Sequence, residues 1–338
     1  MKKIIKNILF TLLVFVTISC SKDDSKPDED TATEPDVYVA GLEDNKAVYW
    51  KNGEKNILSD NFSYASAISV TDSGDIYVVG TDKYEDAVYW KNGIITLLGS
   101  GTNAVANDIW ITQNGDVHVV GSINSKATYW KNGTETILTG TNSSSGNANS
   151  IFIKGNSIYI AGSETENSFE TAVYWKDGNK IVLPVGTDAF YSNASSIYVD
   201  DNEGVLIAGA IRKATSVSYT AGVYWKKNLL IEPGNSTKDT KIREITVVDD
   251  VLYMAGMEII EAYPESKRNA LYWRDNIKFV LENSEKAEAY TIAIMDNDVY
   301  TAGYETDSNG KPQARYWENN IKVYLSDNIS YAYDILIK

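Results

Sequence analysis

The residue types able to do chemistry in this 338-residue chain are few. There is one histidine, His118, and one cysteine, Cys20. A two-histidine metal site and a thiolate site in the folded part are therefore excluded, and a Ser-His-Asp arrangement could run only through His118. No metal and no cofactor are expected. Carboxylate, phenol and guanidinium chemistry remain. Glu244 and Asp334 are the acid/base candidates, in the manner of a glycosidase or polysaccharide lyase, which requires carboxyl groups about 5–9.5 Å apart. Together with Asn107, Asp108, Arg243, Tyr290 and Tyr333 they form a polar set suited to holding a ligand at the end of a channel.

These residues stand out because they interrupt a repeat. Tyr-Trp occurs at residues 49–50, 89–90, 129–130, 174–175, 224–225, 272–273 and 316–317, at steps of 40 to 50 residues. A period of that length marks one supersecondary unit copied many times. Each copy has four short segments. Segment a is apolar and alternating (Ala67-Ile68-Ser69-Val70), and segment b ends in a glycine: Gly41, Gly80, Gly121, Gly162, Gly209, Gly256 or Gly303. Segment c carries Tyr-Trp, and d is a short apolar run (Ile95-Thr96-Leu97-Leu98). Alternation and β-branched residues favour strands, and Asn52-Gly53, Asn92-Gly93, Asn132-Gly133 and Asp177-Gly178 predict tight c–d hairpins. Seven copies of four antiparallel strands predict an all-β, seven-bladed β-propeller spanning residues 36–338. The N-terminal copy lacks a, whereas the chain ends in an a segment, Ala332 to Ile337, with no b after it. Joining the two closes the ring and removes its open edges.

Aromatic pairs can stack on sugars, but these are expected to pack between blades. Burying such a ring gives roughly 4–6 kcal/mol of gross stabilisation, whereas exposing it on every blade leaves large apolar patches. His118 takes the segment-b position of Tyr38, Tyr77, Tyr159, Tyr253 and Tyr300, which predicts a packing role. The acidic runs at 72–75, 200–203, 249–250 and 296–298 sit in a–b turns, where Asp, Asn and Gly suit the backbone, and none has the spacing of a calcium loop.

Loop lengths point to one face. The a–b turns are short and uniform. The b–c connections lengthen in the last four repeats, at residues 163–171, 210–221, 257–269 and 304–313. Variable loops on a rigid frame are the usual place for binding. On that face most repeats carry small residues before the segment-a isoleucine, such as Ser66-Ala67 and Ser195-Ser196. The exceptions are Asn107-Asp108, Arg243-Glu244, Tyr290-Thr291 and Tyr333-Asp334.

The N-terminus reads as export machinery. Lys2, Lys3 and Lys6 precede an apolar run from Ile8 to Ile18, too short to span a bilayer, and Cys20 follows. This arrangement resembles the lipidation signal of bacterial lipoproteins, although Thr17 stands where that family usually has Leu or Val. Ser21-Lys22-Asp23-Asp24 resembles the signal by which Bacteroidota lipoproteins reach the outer face of the outer membrane. Residues 1–19 are thus expected to be a signal peptide and 20–35 an acidic, disordered tether, with Cys20 anchored in outer-membrane lipid. Asp30-Thr31-Ala32 resembles a Bacteroidota O-glycosylation sequon. Removing residues 1–19 leaves 28 basic against 46 acidic residues, a charge of −18 that disfavours nucleic acid. The repeat itself resembles bacterial extracellular propeller-type repeats with an aromatic-Trp-x-Asn-Gly segment, and more weakly kelch repeats. The expectation is a monomeric, surface-anchored, non-enzymatic propeller that binds a glycan, peptide or protein through its loop-rich face. The tether should leave from the opposite, uniform face.

Overall fold

The computed structural model describes residues 34–338 apart from 84, 214–218, 235–237, 262–266 and 283–285. The expected signal peptide, Cys20, the sequon-like triplet and nearly all of the tether lie outside the described residues. Among those described, twenty-eight strands form seven separate four-stranded sheets, arranged as a seven-bladed β-propeller. Blade 1 is ordered Ser330–Ile337, Val37–Glu43, Lys46–Lys51, Glu54–Ile57, so the last strand of the chain pairs with the first. Blades 2 to 7 then begin with the inner strands Tyr64–Val70, Val105–Ile111, Ser145–Lys154, Ala189–Val199, Thr240–Val248 and Ala287–Met295. Pairing is antiparallel throughout blade 1, from Val37 opposite Ile337 to Glu43 opposite Ser330.

Local chemistry explains the hairpins. Asn52 and Gly53 both adopt positive φ, as do the residues of the other c–d turns at 47–80°, which matches the right-handed twist of the strands they join. The Asn side chain adds a second tie. Asn92 Oδ1 accepts the Ile76 N–H and its Nδ2 donates to Asp75, both at 2.8 Å, and Asn132 repeats the pattern with Val117 and Asp116. Lys91 and Lys131 pair with the same two aspartates. The acids of those a–b turns therefore bind turn residues.

The tryptophans form the joints between blades. All seven from the Tyr-Trp pairs are at most 2% exposed. Each lies in a core cluster with strand-b residues of the preceding blade: Trp90 with Tyr38 and Ala40, Trp130 with Tyr77 and Val79, Trp225 with Tyr159 and Ala161. Trp50 packs against Tyr300 and Ala302 of blade 7, which completes the circle. Burial therefore serves packing in every blade. The indole N–H of Trp225 donates to the Pro184 carbonyl at 2.7 Å, whereas those of Trp50, Trp90, Trp130, Trp175 and Trp317 are buried without a partner.

Strand b does not end at its glycine. Ile76–Asp82 and Val117–Ile123 both run past it, and the reason lies next door. In every blade strand a skips one residue opposite that glycine: Ser66, Asn107, Asn149, Ser195, Arg243, Tyr290 and Tyr333 have no partner in the ladder. This β-bulge pushes the strand-a carbonyl inward. A Cβ on any of the seven glycines would lie 1.9–2.0 Å from a backbone oxygen, Tyr64 O for Gly80 and Glu288 O for Gly303. Only glycine admits so close an approach.

Candidate functional site

A bulge re-aims the side chain it carries. Here the seven bulged residues all turn to one end of the central channel, where they line a cavity of about 490 Å³ together with Tyr64 and Asn193. The ring has two halves. In blades 3, 4 and 5 the bulged side chains are spent on the neighbouring blade: Asn107 donates to Ala148 O at 2.8 Å, Asn149 to Ala194 O at 2.7 Å and Ser195 to Ile242 O at 2.9 Å. Blades 6, 7 and 1 supply Arg243, Tyr290 and Tyr333 instead.

That second half is an aromatic and cationic wall. Tyr333 lies 5.4 Å from Tyr290, 5.9 Å from Tyr331 and 6.4 Å from Tyr64, measured between ring centres. Tyr304 stacks on Tyr290 at 6.0 Å. The Arg243 guanidinium sits 5.4 Å from the Tyr290 ring and donates through Nε to the buried Glu288 carboxylate at 2.7 Å. Arg268 reaches the other Glu288 oxygen at 3.6 Å. Burial raises the Tyr290 and Tyr333 phenols well above their usual range, and pushes Tyr304 up to about 12. The phenols therefore stay neutral, able both to donate and to accept hydrogen bonds.

The carboxylates expected beside these residues lie elsewhere. Asp108, Glu244 and Asp334 line a separate cavity of about 380 Å³ that runs down the channel from the waist toward the a–b turns. Each accepts the backbone N–H of the next blade's strand-a isoleucine: Asp108 from Ile151 at 2.8 Å, Glu244 from Ile292 at 2.6 Å, Asp334 from Ile68 at 2.8 Å. Ser196 and Thr291 do the same with hydroxyls, at 3.3 Å to Ile245 and 3.4 Å to Ile335. Burial pushes Asp108 up to about 6. Burial, with repulsion from Asp334, raises Glu244 to about 8. Burial raises Asp334 to about 7 against its bond to Ile68, and the Asp108 charge adds to the rise. The protein encloses all three, yet each keeps some contact with the channel.

The seven candidate residues thus divide. Asn107, Arg243, Tyr290 and Tyr333 meet at the mouth, and Asp108, Glu244 and Asp334 meet at the waist. His118 is buried in strand b, its Nδ1 2.7 Å from the Tyr129 hydroxyl, and burial lowers its pKa. Among the described residues, the long connections of blades 4 to 7 continue the strand b–strand c ladder, to Glu166 opposite Phe169, Lys213 opposite Tyr219, Ile259 opposite Arg268 and Thr306 opposite Pro312. Those blades are taller on the mouth side, with ladder hydrogen bonds where irregular loops were expected. Sequence reasoning also passed over Trp110, the tryptophan outside the repeat. It packs 4.9 Å from Phe152, which lies 5.2 Å from Tyr198, an aromatic arc below the waist. Its position directly after a strand-a isoleucine was the available signal.

No protein-family model matches the chain, and no curated protein matches it. Among solved structures it is similar to the β-propeller domain of the Trilobed protease from Pyrococcus furiosus. That match has a TM-score of 0.53 at 13% identity and covers 86% of this chain and 94% of that one. That domain has an open velcro topology, whereas here the terminal strands share blade 1. The Pyrococcus horikoshii acylaminoacyl peptidase gives a TM-score of 0.52 at 14% identity, over 86% of this chain and 50% of that one. At such identities the likeness is one of fold.

Proposed function

We propose that this chain is a non-catalytic binding propeller, displayed on the outer membrane through a lipid on Cys20, which takes a hydroxyl-rich ligand, a glycan, at the channel mouth. The observation that carries this is the bulge ring. Seven side chains freed from the ladder line one 490 Å³ cavity and offer amides, hydroxyls, phenols and one guanidinium. Paired donors and acceptors around flat aromatic faces suit a polyhydroxylated ring. Seven-bladed propellers serve many unrelated functions, so the reading rests on the site and not on the fold.

A glycosidase reading has one observation in its favour: burial places Glu244 and Asp334 near neutrality, where general acids and bases work. Against it, both carboxylates already hold backbone amides, a task that hydroxyls perform in neighbouring blades. A glycan array probed with the full chain, followed by product analysis, separates the readings. Binding without cleavage, weakened at least tenfold in Tyr290→Ala and Tyr333→Ala but retained in Glu244→Gln, is expected. Glu244-dependent cleavage would establish the enzyme. No binding at all would leave a passive structural component. For the anchor, Cys20→Ser is expected to release the chain from the membrane fraction, and unchanged membrane attachment would refute lipidation at that residue.

A further inference from the structure

A second cavity, of about 200 Å³, opens between blades 5 and 6 beside the mouth. Asn193, Ser195 and Arg243 line both, so the two spaces share a wall and one ligand can occupy them together. The smaller one also receives Arg212, Lys241 and the phenol of Tyr191. Its charge is unusual in a chain of net charge −15. Arg212 rests 5.7 Å from the Phe190 ring, and neither it nor Lys241 forms an ion pair among the described residues. Lys241 is half-buried, and its ammonium is disfavoured first by that burial and then by the neighbouring Arg243. Among the described residues three acids face the group, and one of them, Glu170 beside Tyr191, accepts the Ser163 hydroxyl at 2.7 Å. Glu288 is shared by Arg243 and Arg268, and Asp239 accepts the Thr220 N–H at 2.5 Å.

Two cations with no contact ion pair, and a third that shares its carboxylate with Arg268, line a small pocket next to a hydroxyl-binding wall and call for an anion. We infer that this pocket takes the acidic substituent, a carboxylate or sulfate ester, of a saccharide whose ring lies at the mouth. The inference rests on the binding function proposed above and names its ligand class. Guanidinium, ammonium, phenol and amide donors from Arg212, Lys241, Tyr191 and Asn193 then surround the acid, while Tyr290 and Tyr333 face the sugar.

The test is titration of the full chain at low salt with glucuronate, glucose 6-sulfate and glucose. At least one acid should bind tenfold or more tightly than glucose, and the two acids tell a carboxylate site from a sulfate site. Lys241→Met and Arg212→Met should erase that preference, Lys241→Arg should keep it, and Tyr290→Ala should weaken acid and neutral sugars alike. Circular dichroism checks each fold, and if Lys241→Met unfolds, the exposed Arg212→Met carries the comparison. Equal binding of acid and neutral sugars, or a preference that survives both methionine variants, overturns the basic pocket while the mouth stands. Failure of all three sugars overturns both.

Discussion

The Asp334 carboxylate accepts the Ile68 N–H at 2.8 Å, across 266 residues of sequence. It is one of a ring of such latches, made also by Asp108, Ser196, Glu244 and Thr291, that tie inner strands belonging to different sheets. Tryptophans seal the blades further out, and these side-chain bonds fasten them at the waist.

Removing residues 331–338 takes away the inner strand of blade 1, its pairing with Val37–Glu43 and the Asp334 latch. A loss of about 4 kcal/mol would lower the melting temperature by roughly 6 °C for a propeller of about 300 residues. Differential scanning calorimetry should show that drop, and an unchanged melt would refute closure of the ring by this strand.

The waist carboxylates set a pH dependence. Burial raises Asp108, Glu244 and Asp334 to about 6, 8 and 7, above an unfolded value of about 4. Between those limits the folded chain binds more protons than the unfolded chain. Their contribution is complete below about pH 4 and is lost as pH rises through 6 to 8. Urea midpoints should fall from pH 5.5 to pH 8.5 less steeply in Glu244→Gln/Asp334→Asn than in the parent. Parallel slopes would contradict the shifts.

Gly303→Ala places a methyl group 1.9 Å from the Glu288 carbonyl and should cost about 3 kcal/mol. Gly53→Ala meets nothing within 4 Å and should cost only about 1 kcal/mol, through its φ of 80°. Chemical denaturation of the two variants compares them directly, and similar losses would mean that the bulge is not what demands glycine.

Trp225 and Trp175 differ in one bond. Trp225→Phe loses the hydrogen bond to Pro184, whereas Trp175→Phe removes an N–H that was already unpaired. The first should be more destabilising by about 1 kcal/mol beyond the shared loss of packing. Equal unfolding free energies would argue that the Pro184 bond contributes nothing.

The fold was legible because most of its determinants recur: Trp50, Trp90 and their counterparts follow from packing that every blade shares, the Asn-Gly turns mark three of the hairpins, and the orphan last strand supplies the strand that the first blade lacks. The site was legible as a place and not as an arrangement. The glycine looked like a strand terminus, since nothing local reveals that a carbonyl of another strand occupies its missing side chain. Without the bulge, Arg243 and Glu244 read as one polar pair. With it, they face different compartments, one in the mouth and one against the Ile292 amide. The hairpin extensions were hidden for a related reason, because ladder pairs such as Glu166 with Phe169 or Thr306 with Pro312 mix polar and apolar residues without the alternation of buried strands.

The bulge also separates what the chain must keep from what it is free to change. Each bulged position lies outside the ladder, at the same height in every blade, under the same glycine. Its side chain can vary from serine to arginine without altering the strand pairing around it. The mouth is therefore a ring of seven addresses in a repeated frame, three of which, Asn107, Asn149 and Ser195, also fasten the next blade, so its specificity can be rewritten chiefly at the other four without a new protein.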